Sequence, residues 1–346
     1  ADYYYVLRLM EFNTTPYLSF LIPASNWIAG GPFEARVEVN AQASGISQVD
    51  FYYRAPDTAN SSWQLIGSDT NGSDGWSISI NPASFGGMVG GTIYAQAHST
   101  SGQIWGDWRV NLQIDGGKPT AQLSSLPSSS GSTAVRLAWS AQDDVSGISR
   151  VEFQYRVNDG GWQDWNVKPT AENGSIWFLG QAGQKIELRV RAVDRAGNVQ
   201  DWPASGQVTT FPNSCNPGSG EPDNNQREKA AILSYETAQE HKLCPNADRD
   251  WMRFEAEAGK SYLFFGSSLG GGAALKLGIY DSDGNLLSEH SAADLGQSLT
   301  FLWTAPISGT YYLLAEPLDD GLFGNEARYR IWYGEPRQLF LPMINR

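Results

Sequence analysis

The chain has 346 residues, of which 41% are hydrophobic, 12% aromatic and only 18% charged, and its formal net charge is -13. That length suits two or three domains, and that apolar content supplies several cores, which excludes a disordered chain. The acidic balance excludes docking on phosphate, whether of nucleic acid or of anionic lipid, and leaves solubility outside the cell or cation binding as what the charge serves.

With 37 Gly and many Ser, Thr and Asn, the composition reads as all-β with frequent turns. No apolar run approaches the ~18–20 residues of a membrane helix, so membrane insertion is not expected. No Lys/Arg-flanked apolar segment opens the chain, so the expectation is a mature secreted protein or a fragment, with Ala1 a candidate first residue after signal cleavage.

In chain order, residues 1–16 read as an N-terminal extension. Ala1-Asp-Tyr-Tyr-Tyr-Val-Leu-Arg-Leu-Met-Glu-Phe12 is strongly β-prone and has no domain of its own. A free apolar strand is an aggregation hazard unless it pairs. The expectation is addition to a sheet edge of a neighbouring subunit, with Tyr3, Tyr5, Leu7 and Leu9 supplying the contacts. Head-to-tail addition does not close, so it builds a filament.

An internal repeat then divides the chain into a first domain at 17–115 and a second at 116–208. Gly45-Ile-Ser-Gln-Val-Asp-Phe-Tyr-Tyr-Arg54 matches Gly147-Ile-Ser-Arg-Val-Glu-Phe-Gln-Tyr-Arg156. Ile93-Tyr-Ala-Gln-Ala-His-Ser-Thr-Ser-Gly102 matches Leu188-Arg-Val-Arg-Ala-Val-Asp-Arg-Ala-Gly197, and both copies close on Asp-Trp, at Asp107-Trp108 and Asp201-Trp202. Period-2 alternation places Val151, Phe153 and Tyr155 on one strand face and Glu152, Gln154 and Arg156 on the other. A repeat of roughly 100 residues is the size of one sandwich, not of a solenoid unit. The second copy, with Asp143-Asp144-Val-Ser-Gly-Ile and Ala192-Val-Asp194-Arg-Ala-Gly-Asn198, resembles the Ig-like or fibronectin-III-like modules of secreted bacterial proteins. Turn formers at Asp115-Gly-Gly-Lys-Pro119, and again from Pro203 to Asn225, mark the linkers.

A third domain is expected at 209–336. It opens on a short helix or turn at Arg227–Ser234. Strands follow near Trp251–Glu255, Ser261–Phe265, Ala274–Asp281, Leu299–Thr304, Tyr311–Glu316 and Ala327–Tyr333. Cys215 and Cys244, the chain's two cysteines, read as one disulfide of roughly 3–4 kcal/mol, with two buried thiols as the alternative. The order Cys215, Glu221-Pro-Asp-Asn-Asn225, Cys244, Asp248-Arg-Asp-Trp-Met-Arg-Phe254, Leu277-Gly-Ile-Tyr-Asp-Ser-Asp-Gly-Asn285 and Gly309-Thr-Tyr-Tyr-Leu313 resembles the bacterial pre-peptidase C-terminal domain. That resemblance implies a jelly-roll-like sandwich, a secreted parent and an accessory role beside an extracellular hydrolase. Related collagen-binding modules hold calcium with a comparable linker and a later Asp pair, which here implies Glu221, Asp223, Asn225, Asp248 and Asp250. One acidic position is displaced and one Asp is Asn, which weakens the charge. Residues 337–346 are an apolar tail.

The catalytic inventory is thin. There are three histidines: His98 reads as a strand-face residue, His241 lies just before Cys244, and His290 reads as a loop residue. No His-Glu-x-x-His motif occurs. Asp281-Ser-Asp-Gly-Asn285 resembles the start of an EF-hand loop, but position 12 of that loop falls on Ala292, and Asp-Gly between alternating strands reads as a hairpin turn. Asp143, Asp144 and Asp194 are a second candidate cation set. Trp139, Trp108 and Trp202 read as core; Trp105, Trp162, Trp165 and Trp177 are the candidates for an exposed sugar platform. Asn13, Asn60, Asn71 and Asn173 fit the glycosylation pattern.

The reading is therefore an all-β, non-catalytic protein of three consecutive sandwiches, secreted or at the cell surface. The leading role is structural or adhesive, through self-association or a cell-surface or matrix polymer. The alternatives are the accessory region of a secreted peptidase and a calcium-dependent polysaccharide or matrix binder.

Overall fold

The computed structural model describes residues 17–39, 45–56, 62–216 and 223–336, the side chain of Asp223 excepted. These residues form an all-β, multi-sandwich protein of mainly antiparallel sheets joined by turns and short 3-10 segments, with Ala231–Ile232 pairing parallel to Asp250–Ala256 and Trp27–Ala29 to Gln113–Asp115. Among the described residues no helix is long and apolar enough to cross a membrane.

The first sandwich contains β1 (Leu18–Ile22), β2 (Trp27–Ala29), β3 (Phe33–Val39), β4 (Ile46–Arg54), β5 (Gln64–Asp69), β6 (Trp76–Ile80), β7 (Thr92–Ser99), β8 (Ile104–Arg109) and β9 (Gln113–Asp115). A β1-β3-β6 sheet packs on a β5-β4-β7-β8 sheet, and β2 and β9 form a parallel ribbon. Alternation in β4 buries Val49, Phe51 and Tyr53 with Ile93, Ala95 and Ala97 of β7, leaving Gln48, Tyr52 and Arg54 on the outer face. The free edge of β1 is closed by β8: the Phe20 N–H donates to Asp107, and Arg109 donates to the Phe20 and Pro23 carbonyls.

The second sandwich repeats the pattern with β10 (Thr120–Leu123), β11 (Ala134–Gln142), β12 (Ile148–Val157), β13 (Gln163–Trp165), β14 (Asn173–Leu179), β15 (Lys185–Asp194) and β16 (Gln207–Thr210). Its sheets run β10-β11-β14 and β13-β12-β15-β16. Val151 and Phe153 are buried with Val190 and Ala192, the same inward positions of the repeated strands as in the first copy.

The third sandwich holds β17 (Ala231–Ile232), β18 (Gln239–Lys242), β19 (Asp250–Ala256), β20 (Ser261–Ser268), β21 (Leu275–Tyr280), β22 (Leu286–Ser291), β23 (Leu299–Thr304), β24 (Gly309–Pro317) and β25 (Arg328–Gly334). A β17-β19-β24-β21-β22 sheet covers a β18-β25-β20-β23 sheet over an aromatic core that includes Phe254, Phe264, Tyr311 and Tyr333. Burial pushes the Tyr333 hydroxyl up to about 12. The expected helix or turn at 227–234 is a 3-10 turn, Arg227–Lys229, followed by β17. Two strands lacked a clear sequence signal: β18 and β22. His290 therefore sits on a strand rather than in a loop, stacked on Phe301 at 4.1 Å.

The second and third sandwiches share a hydrogen-bonded seam. Thr133 is fully buried, and Ala134 belongs to the third core. The Thr133 N–H donates to Phe323 O at 2.9 Å, its hydroxyl donates to Gly321 O at 2.7 Å, and the Phe323 N–H returns a bond to that hydroxyl at 3.0 Å. Ser132 Oγ donates to Gly271 O and Glu326 N–H to Gly131 O. Gly324 lies so close to Gly131 O that a Cβ would stand 2.4 Å away. Cys215 and Cys244 are disulfide-bonded, 29 residues apart, and tie the chain leaving the second sandwich to the loop after β18.

Candidate functional site

Around the disulfide, Asp248 and Asp250 are buried. Asp250 accepts from Asn224 Nδ2 and from the Tyr329 hydroxyl. Asp248 accepts from the Cys244 and Arg249 N–H groups at 2.9 and 3.0 Å, and Asn225 Oδ1 accepts from Arg249 N–H. The described part of the expected calcium set is thus a hydrogen-bonded knot that fixes the loop after Cys244. Glu221 lies outside the described residues.

A second carboxylate group forms where the first two sandwiches join. Oxygens of Asp115, Asp143 and Asp194 all lie within 4.8 Å of one another. Ligands 2.3–2.6 Å from a common cation stand at most about 5 Å apart, so this spacing suits a hard divalent ion. Asp143 and Asp194 were in the sequence-based set, but Asp144 is exposed and its place is taken by Asp115, at the end of β9. Asp115 is held by the Gly117 and Ser146 N–H groups, Asp143 by the Gly147 N–H and Asp194 by Asn198. Burial raises the Asp194 carboxyl above its usual range, with the Asp115 charge adding to it. Burial also opposes the charge of Asp115, yet the Ser146 and Gly117 donors outweigh it and hold that carboxyl low.

The first two sandwiches differ most in the outer faces of their four-stranded sheets. In the second sandwich the face is a closed ladder. Arg189 lies over Trp162 at 3.9 Å and over Trp202 at 5.1 Å, Arg191 over Trp202 at 4.4 Å, and Arg156 over Trp162 at 4.8 Å. Every guanidinium in it is tied down: Arg156 to Glu187, Arg189 to Gln154 and Pro203 O, and Arg191 to Glu152.

In the first sandwich the repeat places Trp63 and Trp108 where Trp162 and Trp202 stand. Tyr94 and Gln96 replace Arg189 and Arg191, and Tyr52 replaces Gln154. Tyr94 lies 5.6 Å from Trp63, 6.2 Å from Trp108 and 6.1 Å from Tyr52 between ring centres. These rings and Gln96 line a recess of about 470 Å³. Trp63 is 44% and Trp108 60% exposed. Gly106 makes the shape possible: a Cβ there would stand 2.3 Å from the Tyr94 hydroxyl. On the same face, across from Gln96, Asp50 is buried and accepts from Gln48, Ser68 and, at 3.5 Å, the Tyr52 hydroxyl, with His98 Nε2 at 3.0 Å. Burial opposes its charge, but the Ser68 and Gln48 donors and His98 hold its carboxyl below the usual range. Ser68 donates to the carboxylate rather than to the imidazole, so no Ser–His–Asp relay is formed here.

This relocates the aromatic surface. Trp108, read as core, is the most exposed ring of the recess. Trp105 packs on the first core, Trp165 on the second and Trp177 on the third, and Trp162 is enclosed by arginines. Trp139 is buried, as read. Asp281 closes the β21–β22 hairpin, accepting from the Asp283 and Asn285 N–H groups. Asn71 caps a 3-10 turn and is exposed, as is Asn173 at the start of β14. Asn13, Asn60 and the strand-addition residues Tyr3, Tyr5, Leu7 and Leu9 lie outside the described residues.

No family model and no curated protein matches the chain. Among solved structures it is similar to the pre-peptidase C-terminal domain of a collagenase from Bacillus anthracis, 18% identical, covering 32% of this chain and 99% of that one with a TM-score of 0.25. It is also similar to native E. coli alpha-2-macroglobulin, 8% identical with a TM-score of 0.23; that match covers 93% of this chain but only 22% of the macroglobulin.

Proposed function

We propose that the chain is a non-catalytic extracellular binding region, a row of sandwiches that docks its parent protein on a polymer through the outer face of the first sandwich. One observation carries this. The same sheet face occurs twice in the molecule; the second copy is sealed by ion pairs, while the first presents exposed rings around a recess. Solvent-facing tryptophans gathered on one face mark an interaction site. The order of motifs from Cys215 to Tyr333 supports an accessory region of a secreted hydrolase as the setting. The experiment is co-sedimentation of the full chain with insoluble cell-wall and matrix polymers. Retention that falls in a Trp63→Ala/Trp108→Ala variant supports the reading, and equal retention of both proteins, or of neither, sinks it.

Filament formation by residues 1–12 keeps its own test. Deletion of that segment should abolish polymers, and because β8 closes the β1 edge, an added strand would have to enter at another edge.

A further inference from the structure

Resting on that docking reading, we infer that the recess of Tyr52, Trp63, Tyr94, Gln96 and Trp108 binds the pyranose rings of an uncharged polysaccharide. Three features select this ligand. Its walls are π faces, which attract weakly positive C–H groups such as those on the flat side of a sugar ring. Gln96, the one side-chain amide among them, offers both a donor and an acceptor, as a ring hydroxyl requires, beside the Tyr hydroxyls and Trp N–H groups. Among the described residues, charge stands at its margin only in paired form: the Arg54 guanidinium stacks on Trp63 at 4.9 Å, and Asp50, buried, accepts from Gln48, Ser68 and the Tyr52 hydroxyl. Against a chain of net charge -13, a polyanion is disfavoured further.

The contrast with the second copy sharpens the choice. There the positions of Tyr94 and Gln96 carry Arg189 and Arg191, whose guanidinium groups stack on both tryptophans and fill the face. Exchanging two cations for a phenol and an amide leaves a neutral, amphipathic surface of the kind a sugar presents in return. Tyr94 stands between the two tryptophans, 5.6 Å from Trp63 and 6.2 Å from Trp108, so the platform spans at most about 12 Å between tryptophan ring centres. That length suits an oligosaccharide, with neighbouring rings of one chain over Trp63 and Trp108.

The test is affinity electrophoresis and calorimetry of the full chain with soluble neutral glucans, xylan, mannan and galactan, beside alginate as polyanion, a proline-rich peptide and choline as a cation. At least one neutral glycan should bind, with its hexasaccharide tighter than its monosaccharide, and Trp63→Ala and Trp108→Ala should each weaken it by about tenfold. The Tyr94→Arg/Gln96→Arg variant, which imitates the second copy, should abolish binding while its melting curve stays cooperative. Gly106→Ala, which must displace the Tyr94 ring, should weaken binding without touching either tryptophan. Platform-dependent binding of the peptide or of choline with none of any glycan would overturn the saccharide assignment and leave the docking reading standing. Silence toward every probe, or glycan binding that survives both tryptophan variants, would overturn both.

Discussion

Thr133→Val tests whether the second and third sandwiches melt as one body. The substitution keeps the shape of a fully buried side chain and removes its hydroxyl. Two groups then lose a partner: the Phe323 N–H, whose acceptor was Thr133 Oγ1 at 3.0 Å, and Gly321 O, whose donor stood at 2.7 Å. Phe323 is 3% exposed, so water does not readily replace that bond. An unsatisfied buried group costs about 1–3 kcal/mol; with the Phe323 N–H at that cost and the half-buried Gly321 carbonyl, which water can reach, adding about 1, the pair amounts to about 2–4 kcal/mol. For a cooperative unit of about 200 residues that lowers Tm by roughly 4–16 °C. Thr133→Ser is the control: it keeps both hydrogen bonds and deletes one buried methyl, worth about 1 kcal/mol. Differential scanning calorimetry of the full chain should show one joint transition for these two sandwiches. In Thr133→Val it should move down or split, while in Thr133→Ser it moves little. Equal shifts in the two variants would refute the hydrogen-bond accounting, and a wild type in which the two already melt apart would refute the shared seam.

Replacing Cys215 and Cys244 by Ala should destabilise the third sandwich by about 3.5 kcal/mol, from the loop-closure entropy of a 29-residue separation, and leave the first sandwich's denaturant midpoint unchanged. Asp50, Asp115, Glu152 and Glu187 all have depressed carboxyl pKa values in the fold, their donors or arginine partners outweighing burial. Their stabilisation is therefore present above the unfolded values of about 4 and is lost as pH falls through the lower folded ones; tryptophan fluorescence should report unfolding of the first two sandwiches below about pH 4, and a loss beginning above pH 5 would contradict it. Asp194 has the opposite sign: its raised value means stability that is present below about pH 4 and lost as pH rises through the folded pKa. A calcium ion among Asp115, Asp143 and Asp194 would reverse that loss. Saturating calcium should then raise Tm at neutral pH by the equivalent of about 2.7 kcal/mol at a hundredfold excess over Kd, with no gain in Asp194→Asn; identical curves with calcium and with chelator would dismiss the site.

Much of the architecture was legible because period-2 alternation and an internal repeat are local signals. Val151 and Phe153 had to share a face, and the repeat carried that face to Val49 and Phe51 in the first copy. The seam was not legible. Thr133 follows a Ser- and Gly-rich run that carries no periodicity, and its partners lie 188 and 190 residues away. Asp115 was hidden for a related reason. It opens a Gly-Gly-Lys-Pro linker, and only the β2–β9 ribbon turns it toward Asp143 and Asp194. The tryptophans of β8 show the limit within a strand. Trp105 and Trp108 stand three apart and so must face opposite ways, but alternation does not say which one is inside.

Recurrence of the Asp-Trp pair at Asp107-Trp108 and Asp201-Trp202 looked like a core signature, and the structure shows a different cause. Both tryptophans belong to an outer ladder whose rungs come from the neighbouring long strand. In the second copy the rungs are arginines, which need acceptors, and Glu152, Gln154, Glu187 and Pro203 O supply them. In the first copy the rungs are Tyr94 and Gln96, which need no counter-charge, so the corresponding acceptors are released: Asp50 turns to Gln48, Ser68 and His98 instead. The two copies therefore differ most on the outer face, self-satisfied in one and lined by exposed rings in the other, while the inward positions stay apolar, as in Phe51/Phe153 and Ala95/Val190. A duplicated sandwich can separate stability from binding in this way. The inward alternation holds each copy together, and the outer face of one copy is left to change.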